Sequence, residues 1–157
     1  MAQYCGNFHN IYNKTNNMTN FVDIRNKKTC DMAKHNELGQ WGEQIAADLL
    51  VTKGYAIVER NWRVGNMELD IVAMKGSRIV FVEVKTRSSD FVDPADAVDR
   101  RRMMRMVRAA HSYVRSREIP HEVQFDVIII VGNPESGATP RVEHIADAFL
   151  PPLRTVR

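Results

Sequence analysis

Residues 68–86 read ELDIVAMKGSRIVFVEVKT, and this stretch decides the fold. Segments 68–74 and 78–86 are rich in valine, isoleucine and other apolar residues, which is typical of β-strands. Between them, residues 75–77 (KGS) are a short polar turn that contains a glycine. The stretch therefore predicts two antiparallel strands joined as a hairpin.

Charged residues interrupt the apolar pattern of strand 78–86 in a regular way. Side chains alternate between the two faces of a strand, so three valines lie on one face and Phe81, Glu83 and Lys85 on the other. Burying an isolated charge is costly, so Glu83 and Lys85 need a partner, a metal ion or contact with solvent.

The preceding strand carries two further acids, Glu68 and Asp70, which share one face. In the predicted hairpin Asp70 lies near Glu83, so three carboxylates and Lys85 converge. A hard cation with oxygen ligands, Mg²⁺ or Mn²⁺, most simply explains carboxylates held so close together. Such an ion activates water, and a lysine can orient that water or neutralise developing charge. Spacing alone gives equal weight to a cross-strand salt bridge from Lys85 to Glu68 or Asp70.

The rest of the pattern surrounds this hairpin with helices and further strands. We predict two helices, at 36–54 and 95–117, and three more strands, at 55–60, 124–131 and 141–145. Asn36 is the predicted N-cap of the first helix, and Gly54 ends it. Because helix 95–117 links strand 78–86 to the apolar strand 124–131, these two strands could be parallel. The order α-β-β-β-α-β predicts a mixed sheet flanked by helices, an α/β or α+β domain.

The two ends of the chain differ from the patterned part. Residues 1–31 are rich in asparagine, and we interpret them as a disordered tail or, if Met32 is the true start, as an untranslated extension. The domain then covers 32–150, and 151–157 form a tail. Both cysteines lie within the first 31 residues, so no disulfide framework is predicted. Without an apolar run of about 20 residues or a secretory signal, a cytoplasmic protein with no membrane contact is expected.

Helix 95–117 carries seven arginines against two acids, Asp96 and Asp99. Its predicted core side consists of Met103, Val107, Ala110 and Val114. Arg101, Arg105 and Arg108 follow the opposite face, and Arg63, Arg87 and Lys75 could extend the same surface. Arginine suits phosphate binding, so this face predicts contact with nucleic acid; the alternative is an ordinary solvated helix face.

Five motifs together resemble one known family. They are Gly39-Gln40-Trp41-Gly42-Glu43, Arg60-Asn61-Trp62-Arg63, Glu68-Leu69-Asp70, Phe81-Val82-Glu83-Val84-Lys85-Thr86-Arg87 and Phe125-Asp126-Val127. Residues 32–150 resemble the YraN family of predicted endonucleases, which is similar in fold to archaeal Holliday junction resolvases and belongs to the PD-(D/E)XK superfamily. The resemblance implies a restriction-endonuclease-like α-β-β-β-α-β core.

The same resemblance implies roles for individual residues. Asp70 and Glu83 would be metal ligands, Lys85 the catalytic lysine, and Glu43 a further acid that reaches the site from the first helix. The family usually has glycine directly before Glu-x-Asp, where this chain has Met67. This departure affects the role that the resemblance implies for Glu68 more than the role that it implies for Asp70.

Two acids keep alternative interpretations. Glu43 shares a helix flank with Ala46 and Leu50, yet spacing alone favours a solvated acid. Asp126 lies between Phe125 and Val127 in an apolar strand. It either caps a backbone group or touches the site from a neighbouring strand, with equal weight.

The sequence thus predicts a Mg²⁺- or Mn²⁺-dependent phosphodiester hydrolase acting on DNA, in particular on branched or structured DNA. Asp70 and Glu83 would hold the metal with help from Glu43 and Glu68, and Lys85 would position water. The alternatives are a non-catalytic nucleic-acid-binding module with the same fold, and a protein-interaction scaffold whose carboxylates form only salt bridges. Relatives that cut junctions also suggest a homodimer.

Overall fold

A computed structural model describes residues 19–88 and 100–151. The chain divides into two compact units, Met1–Lys34 and His35–Arg157. The elements are α1 (Thr19–Thr52), β1 (Ala56–Val64), β2 (Met67–Lys75), β3 (Arg78–Arg87), α2 (Arg100–Ser116), β4 (Glu122–Val131), a 3₁₀ turn (Pro134–Ser136) and β5 (Arg141–Ile145). Among these described helices, none has the length and apolar character needed to cross a bilayer.

The five strands form one mixed sheet in the order β1-β2-β3-β4-β5. Strands β1–β2, β2–β3 and β4–β5 pair antiparallel, whereas β3 and β4 pair in parallel. The turn between β2 and β3 contains Gly76 with φ 59°, a left-handed conformation that glycine adopts without strain. The predicted α/β class, the hairpin and the parallel pair are therefore confirmed.

Alternation along β3 divides the core into two clusters. Its valines, Val80, Val82 and Val84, pack with Ala46 and Leu50 of α1. Phe81, on the other face of β3, packs with Ala109 and Tyr113 of α2. The sheet is thus covered by α1 on one face and by α2 on the other, as the period of two predicts.

The start of α1 and the end of β1 differ from the predictions. Because α1 begins at Thr19, Asn36 lies inside the helix, and the predicted N-cap is wrong. Strand β1 continues past residue 60 to Val64, which pairs with Met67. An edge strand can expose polar side chains to water, so the strand pattern is weak in this segment. Residues 1–18 and 152–157, on which the predicted extension and tail partly depend, lie outside the described residues, as do 89–99.

The buried face of α2 is displaced from the predicted one. The buried residues are Met106, Ala109, Ala110 and Tyr113. Of the predicted core side only Ala110 is fully buried, whereas Met103, Val107 and Val114 are half-buried. This displacement matters for the site, because Arg102 precedes Met106 by one helical turn and therefore lies toward the sheet.

Candidate functional site

The site begins where β2 and β3 stop pairing. The backbone pairing between these two strands runs from the Lys75–Arg78 pair to the Ile71–Val82 pair. It therefore ends one residue short of Asp70 on β2. There the backbone N–H of Val84 donates a hydrogen bond to Oδ2 of Asp70 at 2.8 Å. A side-chain carboxylate thus accepts from β3 where the backbone ladder has ended, and this bond holds Asp70 beside Glu83.

Glu83 is a half-buried acid that contacts α2. Its side chain is 15% exposed, and Arg102 forms an ion pair through Nε with Oε1 of Glu83. The same oxygen is buried, so the guanidinium of Arg102 shields it from solvent. Burial raises the pKa of Glu83, although the positive charges of Arg102 and Lys85 act in the opposite direction.

Asp70 is perturbed more strongly. Burial raises the pKa of its carboxyl from 3.8 to about 7, and the negative charges of Glu83 and Glu43 act in the same direction. The Val84 hydrogen bond and the charge of Arg102 only partly oppose this rise. The acids are therefore under-compensated, and a cation added at this point would stabilise their ionised forms.

Two clefts open onto Asp70. The first has a volume of about 590 Å³ and is lined by Asn66, Met67, Glu68, Asp70, Glu83, Arg102, Arg105, Met106 and Arg108. The second has a volume of about 350 Å³ and is lined by Leu38, Gly39, Glu43, Glu68, Asp70, Val84, Lys85, Thr86, Arg87 and Arg102. Glu68, Asp70 and Arg102 belong to both walls, so a ligand could approach Asp70 from either side.

The second cleft depends on the close approach of α1 to β3. A Cβ on Gly42 would lie 1.8 Å from Oγ1 of Thr86, so only glycine permits this contact. The approach brings the next residue, Glu43, into the cleft wall, which Lys85 also lines. Lys85 is only 8% exposed. The helix acid and the strand lysine named from the sequence therefore share one cleft with Asp70.

Glu68 lies at the rim rather than between the other acids. Its side chain is 46% exposed and pairs at 2.6 Å with Arg63, which is 68% exposed. The preceding residue, Met67, packs against the core on the α2 side. Glu68 and Arg63 thus form an ion pair in the structure. The sequence predicted Glu68 as a metal ligand and Arg63 as a contact to nucleic acid.

The arginines divide between the two clefts. Arg105 and Arg108 line the first cleft and Arg87 the second, whereas Arg101 is exposed and lines neither. Arg102 was missed from the sequence because Met103 was placed on the core side. Helical spacing could have predicted the position of Arg102. Met106 shares a face with the buried residues 109, 110 and 113, and Arg102 lies four residues before Met106 on that face.

Asp126 lies outside both clefts. It is completely buried and accepts hydrogen bonds from the Gln124 side chain at 2.8 Å, the Asp147 backbone N–H at 2.9 Å and the Tyr55 hydroxyl at 3.4 Å. Nε2 of His144 lies 2.9 Å from Oδ2 of Asp126. Of the two alternatives, the structure favours the cap: Asp126 satisfies a backbone N–H and polar side chains.

The acids can be tested for their fit to a metal ion. Within residues 19–88 and 100–151, no three histidine, cysteine or acidic side chains are arranged to hold one. Mg²⁺, however, commonly uses one or two protein carboxylates and completes its shell with water and substrate phosphate. Asp70 and Glu83, both half-buried and under-compensated, fit that smaller donor set.

Comparison with known proteins places these motifs in one family. The sequence profile of the uncharacterised protein family UPF0102 matches residues 42–130. A UPF0102 protein of Bacteroides thetaiotaomicron is 50% identical over 123 residues, which cover 78% of this chain and 99% of that protein. A UPF0102 protein of Flavobacterium johnsoniae is 46% identical over 123 residues, which cover 75% of this chain and 98% of that protein.

Proposed function

This chain belongs to the uncharacterised protein family UPF0102, which is the YraN family that its motifs resemble. We propose an activity for it from the geometry and charges of the site around Asp70 and Glu83. The proposal is a metal-dependent endonuclease of PD-(D/E)XK type that hydrolyses phosphodiester bonds in DNA, with branched or structured DNA as the preferred substrate. One observation carries it. Two half-buried carboxylates, Asp70 and Glu83, line the first cleft together. Asp70 also lines the second cleft, and basic residues line both.

Asp70 and Glu83 are the residues that would hold Mg²⁺ or Mn²⁺. When bound, the ion would supply Lewis-acid activation of water and stabilisation of charge on a phosphoryl oxygen. Lys85 brings a cationic group into the second cleft, close enough to Glu83 to lower its pKa. Its ammonium can donate hydrogen bonds to a water or to a phosphate oxygen.

The walls of the clefts suit a polyanion. Arg105 and Arg108 line the first cleft, and each offers a planar fork of donors that matches phosphate. Glu43 faces the second cleft on the side of α1, where it can accept a hydrogen bond from a water held near Lys85. Residues of α2 would therefore bind phosphate in the first cleft, and Glu43 of α1 would bind water in the second.

The test is cleavage of supercoiled plasmid and of a four-way DNA junction, with Mg²⁺ or Mn²⁺. We expect Asp70→Asn and Lys85→Met to lose about a hundredfold or more in rate, the usual effect of removing a preorganised charge from an active site. DNA binding should persist, because Arg105 and Arg108 are intact. Glu122→Gln is the matched control: it neutralises an exposed acid at the other end of the β3–β4 pair and should cleave like wild type. Full activity of either site variant would refute the assignment.

The second candidate is a non-catalytic nucleic-acid-binding module. It is favoured by the lack of a three-ligand metal group among the described residues and by the ion pair between Arg102 and Glu83. Such a module would bind DNA with a steep salt dependence and cleave nothing with any divalent ion. Arg105→Gln with Arg108→Gln should reduce the salt slope by about two, roughly one per lost phosphate contact. Absence of DNA affinity would leave only the scaffold interpretation. The homodimer and the cytoplasmic location stay predictions; light scattering tests the former.

A further inference from the structure

Arg102 lies at the junction of the site and both clefts. It is the third residue of α2, and its side chain is 50% exposed although its partner, Glu83, is 15% exposed. It lines the first cleft with Arg105 and Arg108 and the second cleft with Lys85. A single guanidinium therefore contacts a half-buried acid of the site and at the same time faces the space where a ligand would bind.

The position of Arg102 conflicts with metal binding. Oε1 of Glu83, the oxygen that Nε of Arg102 contacts, is buried. A cation that used this oxygen would have to approach a guanidinium of like charge. A bound metal ion and Arg102 therefore compete for this carboxylate oxygen.

A phosphate offers Arg102 an alternative partner. Guanidinium groups bind phosphate and carboxylate with similar fork geometry, so exchange between the two anions needs no new kind of contact. The half-exposed side chain can reach solvent in either cleft. Arg105 and Arg108, on the same wall, would bind neighbouring phosphates of the same strand and hold one phosphate near Arg102.

We propose that Arg102 blocks the cation site of the free protein by pairing with Glu83, and that a DNA phosphate draws it away, so that metal binds weakly to the free protein and more tightly when DNA is bound. This inference rests on the proposed nuclease function and adds a means of regulation to the same site. It makes metal and DNA binding mutually dependent, and such coupling must be equal in both directions. The free enzyme would then be protected from binding metal without substrate.

The first experiment is a calorimetric Mn²⁺ titration without DNA, on wild type, Arg102→Gln and Arg108→Gln. Glutamine keeps the length of the side chain and removes its charge. We expect Arg102→Gln to bind Mn²⁺ about tenfold more tightly than wild type, a change of about 1.4 kcal/mol. Arg108→Gln is the matched control, because it removes one positive charge from the same cleft without a contact to Glu83. It should bind within about twofold of wild type, as expected for a screened charge.

The second experiment repeats the Mn²⁺ titration with a saturating, non-cleavable branched DNA. Wild type should gain about tenfold in Mn²⁺ affinity on binding DNA, whereas Arg102→Gln should gain little, since its site is already open. Equal or weaker Mn²⁺ binding by Arg102→Gln without DNA would overturn the blocking role and leave the proposed function standing. If neither protein binds Mn²⁺ with or without DNA, the proposed function itself fails. Thermal unfolding of each variant shows whether the comparison is made between folded proteins.

Discussion

Asp70 and Asp126 are acids on the two strands that flank β3, the first half-buried and the second completely buried, and their surroundings differ in kind. Asp126 contacts four polar groups: the side chains of Gln124, Tyr55 and His144 and the backbone N–H of Asp147. Asp70 accepts one backbone hydrogen bond and is repelled by Glu83 and Glu43. Polar groups of the fold therefore satisfy the Asp126 carboxylate. The Asp70 carboxylate is repelled by neighbouring acids, and an added cation would reduce that repulsion.

The number of hydrogen-bond donors around each carboxylate separates a structural acid from a candidate functional one. Both positions are an aspartate within an apolar strand, so composition cannot distinguish them. The number of donors around the carboxylate does, because a buried charge with enough donors is stable and one without them stores unfavourable electrostatic energy. Four predictions test the comparison, from the largest expected effect to the smallest.

The largest effect should come from Asp126→Ala. It removes the shared acceptor of a buried network, and we expect the free energy of unfolding to fall by roughly 3–5 kcal/mol. Urea denaturation measures this loss. Asp126→Asn, which keeps one acceptor oxygen, should lose less. A loss below about 1 kcal/mol for alanine would show that the network contributes little and would weaken the contrast with Asp70.

Asp70→Asn should have the opposite sign in metal-free protein. The Asp70 pKa is about 7 in the folded protein against 3.8 for the free group, so the folded state binds more protons between these values. The stability of wild type therefore falls as pH rises through that window, and the loss is complete above about pH 7. Asparagine cannot ionise and still accepts from Val84.

We thus expect Asp70→Asn to be more stable than wild type at pH 8, by on the order of 3 kcal/mol, with the advantage lost below about pH 4. Urea denaturation at several pH values measures it. Excess Mg²⁺ should narrow the difference at pH 8, because ligands stabilise only the protein that binds them. An advantage that does not change with pH would contradict the assignment of the shift to Asp70.

A smaller effect should come from the contact that brings Glu43 to the site. Gly42→Ala places a methyl group against Thr86 and should cost about 1–3 kcal/mol, the usual range for overpacking. The matched control is Gly39→Ala, four residues before Glu43 on α1. A Cβ there meets nothing within 4 Å, so helix propensity should make this variant more stable by up to about 1 kcal/mol. Thermal unfolding compares the two, and equal effects would mean that α1 does not approach β3 this closely.

The smallest effect should come from Arg63→Gln. Its ion pair with Glu68 is exposed, and such pairs contribute between about 0 and 1 kcal/mol. Mn²⁺ affinity should stay within about twofold of wild type, because Glu68 lies at the rim and not beside Oε1 of Glu83. A clear change in Mn²⁺ affinity would return Glu68 to the set of metal ligands that the sequence suggested.

The sequence by itself determined the parts of this protein that follow from local periodicity. Alternation along residues 78–86 separated the valines from Glu83 and Lys85. The glycine-containing turn predicted that Asp70 lies near Glu83, and the observed pairing extends to Ile71 and Val82, the residues next to these acids. The helix between two apolar strands indicated the parallel β3–β4 pair. These features were predictable because side-chain direction in a strand, and the reach of a short turn, depend on neighbouring residues alone.

The contacts between charged side chains depend on how the elements pack and could not be predicted from the sequence. The buried face of α2 differs from the predicted one, and that difference brings Arg102 to Glu83. The donors around Asp126 come from segments far apart in the chain, and Arg63 forms an ion pair with Glu68, one of the predicted metal ligands. Partners of this kind depend on how separate elements pack, and a half-buried stripe fixes the orientation of a helix only approximately. The sequence could therefore name the acids of the site but not the arginine that holds one of them.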